Sequence, residues 1–183
     1  MEKFKNHFSD HWYMYVMGFF IVMLVYFYGK ITDYEENNIN EINAVYYMTQ
    51  LETEDVTAVN ILGNKGQELS FIKKEDGTWV YAPDESIVIE QAGPQYLVEL
   101  LKKIATEYMV EDAEDISIYG LSENNPYVEL VTSDQNYRIY IGSYNDTVKR
   151  YYACLNGDND VYGVQINVAE VLDFTLKDYL PIE

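Results

Sequence analysis

Few residues in this chain are of types and spacings that could do chemistry. His7 and His11 stand four apart with Asp10 between them, a spacing that sets two imidazoles on one helix face as metal ligands. Structural zinc takes four ligands, and neither a third nor a fourth is in view, so the pair reads as polar residues ahead of an apolar run. Cys154 is the single thiol, which excludes an intramolecular disulfide framework and a zinc ribbon. With both histidines before residue 12, no imidazole remains to activate that thiol, and it reads as a small buried hydrophobe. Asn156-Gly-Asp-Asn-Asp160 starts like a calcium loop. Its sixth and twelfth positions are Val161 and Asn167, where an EF-hand needs Gly and Glu. It reads as a hairpin turn.

The acidic run Glu111–Asp115 reads as a solvated connector that could gather divalent ions only weakly. No carboxylate pair is marked as desolvated, so none stands out as an acid/base couple. A G-x-S-x-G elbow and a Gly-rich phosphate loop are both missing from the sequence. Asn145-Asp-Thr147 is a formal glycosylation sequon, relevant only to a eukaryotic secretory context. The expectation is no catalytic residue, no cofactor and no metal.

The chain has 183 residues, with 12 basic and 31 acidic side chains and a formal charge of −19. Such acidity argues against nucleic acid, whose binding draws on Lys and Arg neutralising phosphates. Trp12–Gly29 holds no charge over 18 residues. As a helix rising about 1.5 Å per residue it would span roughly 27 Å, near the thickness of a bilayer's hydrocarbon core. Trp12, Tyr13 and Tyr28 fall at its ends and Phe19, Phe20 and Leu24 inside it, with aromatic rings where headgroups favour them. The run is longer than a signal-peptide core, lacks a small-x-small cleavage site and shows no polar face, so it reads as an uncleaved single-pass anchor. Lys3 and Lys5 before it, against Lys30 after it, place the N-terminus in the cytoplasm and the bulk outside. Residues 30–183 carry 10 basic and 29 acidic side chains, so that part should stand off an anionic leaflet and suit a cationic protein face or divalent cations.

The expected layout is a tail (1–11), a transmembrane helix (12–29), an acidic stalk (30–52), whose start could equally continue the helix, and an outer domain (53–183). Val56–Leu62 and Glu68–Lys73 flank Gly63-Asn-Lys-Gly66 as a hairpin. Thr78–Ala82 makes a third strand, stopped by Pro83. Leu97, Leu100, Leu101, Ile104 and Tyr108 form one stripe of a helix opened by Pro94, with Glu99 and Lys103 paired on its far side. Tyr127–Val131, Tyr137–Ile141, Arg150–Leu155 and Asp160–Val164 follow as strands. A closing helix, started by Asn167 and Glu170 in a capping box, carries Val168 to Leu180. The order predicts an α+β fold, mostly antiparallel sheet with two packed helices. Two related βββα halves would superpose Val59 on Val128 and Ile61 on Leu130. The 19 tyrosines form no stripe and read mainly as core and half-buried strand positions.

Several features in order carry a family resemblance. They are Glu54-Asp55-Val56 before Val59-x-Ile61, Gly77-x-Trp79-x-Tyr81, Tyr119-Gly120-Leu121 with Pro126 five residues on, Ile141-Gly142, Tyr151-Tyr152-Ala153 and Val161-Tyr162. Over about residues 53–181 the chain resembles the family of domain of unknown function 4340. The resemblance implies a bacterial protein with one N-terminal membrane helix, often beside transporters similar to gliding-motility ABC systems. It implies no catalytic residues, and leaves Trp79, Tyr119, Gly120, Leu121, Pro126, Gly142 and Tyr152 as structural positions.

The expectation is thus a non-enzymatic, membrane-anchored accessory protein. Its partners would be the lipid bilayer, through residues 12–29, and an envelope protein, with an ABC-type transporter subunit foremost. The alternative is an extracytoplasmic module sensing a ligand or cation.

Overall fold

The structure, a computed structural model of the chain, describes residues 16–17, 19–30 and 45–181. The chain divides into two units, Met1–Ala44 and Val45–Glu183. In the first, residues 16–17 and 19–30 are helical. Among the described residues no helix is long and apolar enough to cross a membrane. Residues 12–15 and 18 of the expected span, the tail before it, and stalk residues 31–44 lie outside the described residues.

Among the described residues of the second unit ten strands follow in chain order. They are β1 (Tyr46–Tyr47), β2 (Val56–Leu62), β3 (Glu68–Lys73), β4 (Trp79–Tyr81), β5 (Ala105–Thr106), β6 (Met109–Val110), β7 (Tyr127–Thr132), β8 (Asn136–Asn145), β9 (Arg150–Leu155) and β10 (Val161–Val164). Two helices, α1 (Ala92–Leu101) and α2 (Ile166–Glu170), interrupt or follow them. Eight strands make one sheet in the order β4-β3-β2-β7-β8-β9-β10-β6, while β1 and β5 pair separately. Every pairing is antiparallel. The fold is α+β, as the element order predicted.

Period-two alternation decides which face is buried. Val59 and Ile61 on β2, Phe71 on β3, Val128 and Leu130 on β7, and Ile139 on β8 all point into one core. Pro94, Leu97, Val98 and Leu101 of α1 cover it, with Val168 and Ala169 of α2 beside them. Truncating any one of these buried leucines to Ala costs about 2–5 kcal/mol. On the opposite face a smaller core gathers Ala113, Leu121, Tyr140, Cys154 and Val161. Here the connector after β6 folds over the β8–β10 end of the sheet.

Several expectations are corrected. The helix ends at Leu101 rather than running to Tyr108. The Thr49 hydroxyl donates to Leu101 O at 2.6 Å and accepts from the Ile104 amide at 2.9 Å, so the chain leaves helical geometry. Ile104 stays buried, reached from extended backbone, and Glu99 pairs with Lys102 at 2.7 Å rather than with Lys103. Met48 and Leu51 add main-chain bonds to Ile104 O and Lys102 O, and the second unit runs from Val45.

The closing helix is broken. After α2 come 3₁₀ turns at Val171–Asp173 and Leu176–Tyr179, and the capping box is Thr175 with Asp178, where both side chains find partners. The two strands expected to superpose lie side by side in the sheet. β2 lies beside β7 with Val59 opposite Leu130 and Ile61 opposite Val128, and each half spreads outward from that central pair.

Candidate functional site

From Val16 to Tyr28 every described side chain is apolar and exposed, including Phe19 (62%), Phe20 (61%), Leu24 (69%) and Tyr28 (71%). Apolar surface this continuous is costly in water, and a burying medium or partner removes the cost. Trp12, Tyr13, His7 and His11 lie outside the described residues.

Six of the seven motif positions converge. Gly120 has φ 73°, and a Cβ there would fall within 3.2 Å of Ser143. A Cβ on Gly142 would meet the Tyr119 carbonyl oxygen at 2.5 Å and Leu121 at 3.0 Å. The Tyr119 and Tyr152 rings stand edge to face at 4.8 Å, and Leu121 is buried beneath them. The Asn125 side-chain amide donates to Gly120 O at 2.7 Å and Ile141 O at 2.9 Å, while Pro126 O accepts from the Ile141 amide. These residues form one knot pinning the connector to β8 and β9. Trp79 lies apart, buried in the main core. There the Gln91 side chain accepts from the Trp79 amide at 2.7 Å and donates to its carbonyl at 2.9 Å.

A polar row crosses the sheet on the face away from the helices. Ser70, Asn60, Glu129 and Arg138 are direct cross-strand neighbours on β3, β2, β7 and β8. Ser70 donates to Asn60 Oδ1 at 2.8 Å, and Asn60 Nδ2 donates to Glu129 Oε2 at 2.9 Å. Arg138 grips Glu129 Oε1 through Nη2 at 2.8 Å and Nε at 3.0 Å. Its guanidinium lies 4.3 Å from the Tyr127 ring centroid. The Tyr140 hydroxyl, and then the Glu129 charge, hold Arg138 still more firmly protonated than usual. Every member is partnered, so the row binds strands together rather than offering a reactive group. Strand alternation sets Arg138 on this face with Glu129 and Asn60, and none of the three stood out as a candidate from sequence. The signal was there: Asn60 and Glu129 both occupy the alternate register of strands whose neighbours are all core residues.

The remaining candidates have structural surroundings. Cys154 is buried, and burial pushes its thiol up to about 11, away from the thiolate a nucleophile needs. Asn156 and Gly157 take positive φ in a turn, as expected for a hairpin. The sequon's Asn145 accepts from the Thr147 and Val148 amides and donates to the Tyr152 hydroxyl. Asp115 in the acidic connector caps the next 3₁₀ turn, and the Ser117 hydroxyl and amide hold its carboxyl below the ordinary 3.8. Among the described residues no three His, Cys, Asp or Glu side chains group as metal ligands.

The family profile described as Domain of unknown function (DUF4340) matches residues 79–180, so it takes in β4 to the last 3₁₀ turn and the whole motif knot. Neither a curated protein nor a solved structure matches the chain.

Proposed function

This chain belongs to the domain of unknown function 4340 family, and we propose that it serves as a membrane-anchored, non-catalytic accessory protein. Its N-terminal apolar stretch spans the bilayer over residues 12–29. Its acidic unit, two related halves on one sheet, stands outside and docks on a cationic face of an envelope protein, with an ABC-type transporter subunit as the partner. The observation that carries this reading is the exposure of every described side chain from Val16 to Tyr28, nearly all of it apolar, with Lys30 just beyond. A tether of this kind holds the acidic unit at high effective concentration near membrane partners, so a weak contact suffices.

The test uses full-length protein in its native membranes. Alkaline carbonate should leave it in the pellet, and external protease on whole cells should cut beyond residue 45. Gentle detergent extraction should retain a second membrane protein and release it as salt rises, since exposed charges are screened within about 10 Å at 0.1 M. Release by carbonate, protection from external protease, or a solitary protein after gentle extraction each overturns it.

A further inference from the structure

A single hollow of about 250 Å³ lies between the last helical segment and the β8–β9 pair. One wall is helix. Glu170 and Val171 both keep right-handed helical angles, so α2 runs on into the turn Val171–Asp173. Ile166, Glu170 and Asp173 stand at i, i+4 and i+7 of that run, one helical face, and all three line the hollow. The opposite wall is Ile141 and Tyr151. The pairing of β8 with β9 shifts register between Ile141 and Tyr144, and that irregularity falls beside Gly142, which borders the same space.

Its two carboxylates have no cation. The ion pairs of this unit use Glu85, Glu99, Glu129 and Asp146, and among the described residues Glu170 and Asp173 form none. Asp173 accepts only a neutral donor, the Asn64 side-chain amide at 3.0 Å. Asn64 is itself fixed, its main-chain amide donating to Leu172 O at 2.9 Å. Like charges one turn apart on a helix repel, so this pair favours a cation beside it. The rest of the lining is largely apolar. Ile141 and Leu172 belong to the main core, the Tyr151 ring stands 4.9 Å from that of Tyr144, and Ile166 remains exposed.

We propose that this hollow receives an arginine side chain from the cationic face of the envelope partner. The contact rests on the docking reading above and gives it a place on the molecule. Its volume falls below the roughly 300–1,000 Å³ of sites that enclose small-molecule ligands, and suits one side chain. The aliphatic stem lies along Ile166 and Leu172. The planar guanidinium meets Glu170 and Asp173 and packs on Tyr151, a combination that a compact ammonium serves less well. A bare divalent ion is poorly served, since among the described residues no three His, Cys, Asp or Glu side chains group together. A second copy of this chain would bring its own charge of −19 against the same carboxylates.

Isoleucine-methyl NMR of the full-length protein in detergent micelles tests it, with N-acetyl-L-arginine amide as the probe. N-acetyl-L-citrulline amide, of the same shape without the charge, and N-acetyl-L-lysine amide serve as comparison arms. The arginine probe should move the Ile141 and Ile166 methyl signals saturably at millimolar concentration and leave that of Ile72, on β3, in place. The citrulline amide should bind at least about tenfold more weakly. Glu170→Gln combined with Asp173→Asn should weaken the arginine probe about tenfold, with the Ile72 signal where the parent has it. No saturable movement, citrulline binding as well as arginine, or unaltered affinity in the double variant overturns the proposal. Tighter binding of the lysine amide overturns the guanidinium assignment in favour of an ammonium group. In native membranes, a double variant that still retains the salt-released partner overturns this hollow as the contact and leaves the docking reading standing. A solitary parent chain overturns the docking reading itself.

Discussion

At Glu129 a carboxylate leaves water almost completely, with 5% of its surface exposed, and Arg138 and Asn60 replace the solvent it has lost. Removing one member of such a pair strands the other, which costs about 3–5 kcal/mol for a fully buried pair. The Arg138 side chain keeps 38% of its surface in water, so Arg138→Met should cost less, about 2–3 kcal/mol. Adding Glu129→Gln to that variant should restore part of the loss, because no charge is then left unpaired. Equilibrium denaturation of the single and double variants reads this directly. A double variant less stable than Arg138→Met would show that the row does not act through charge pairing. Neither role was legible from composition, since Glu129 and Arg138 look like ordinary strand polar residues until the register sets them side by side.

Among the elements, the motif knot and the turns separate two uses of glycine. Gly142 has no room for a side chain, the nearest obstacle being a carbonyl oxygen at 2.5 Å. Gly77 has φ 85° and nothing within 4 Å of an added Cβ. Gly142→Ala should therefore destabilise by about 2–4 kcal/mol through a clash with main chain. Gly77→Ala should cost only about 1 kcal/mol, from the left-handed backbone alone. Equal costs in denaturant titrations would contradict the packing described for the knot. The hairpin β2–β3 was readable to the residue, because alternation and a Gly-rich turn are local signals. The end of α1 was not. Its apolar stripe continues through Ile104, and only Thr49, 52 residues away, takes the carbonyl that would have carried the helix on. The capping box was misplaced for a related reason: Asn167 and Thr175 both precede an acidic residue three positions on, and tertiary packing chose the second.

Over the whole molecule, acidity and topology set the remaining behaviour. Asp76 and Asp178 accept main-chain amides of Thr78 and Thr175, and these bonds hold both carboxyls below their ordinary 3.8. A lowered folded-state value stabilises at pH above the ordinary value, and the benefit disappears as pH falls through the folded one. Asp178→Asn should accordingly unfold a few degrees below the parent at pH 7, and the gap should close below about pH 3. A gap that persists in acid would assign the effect to shape rather than charge. Strand order was the least legible feature of all. Nothing in either half of the sequence announces that β2 will neighbour β7, since that pairing joins segments about 70 residues apart and is chosen by the shared core.

The Gln91 amide, bonded to both main-chain groups that β3 leaves free on Trp79, makes the sheet finite on that flank. It stands in for a ninth strand, and no second copy can extend the ladder there while it is in place. Gln91→Ala should consequently open that edge to pairing between copies, shifting the protein to higher mass in size-exclusion runs as concentration rises. If that variant elutes like the parent at every concentration, some other feature limits growth.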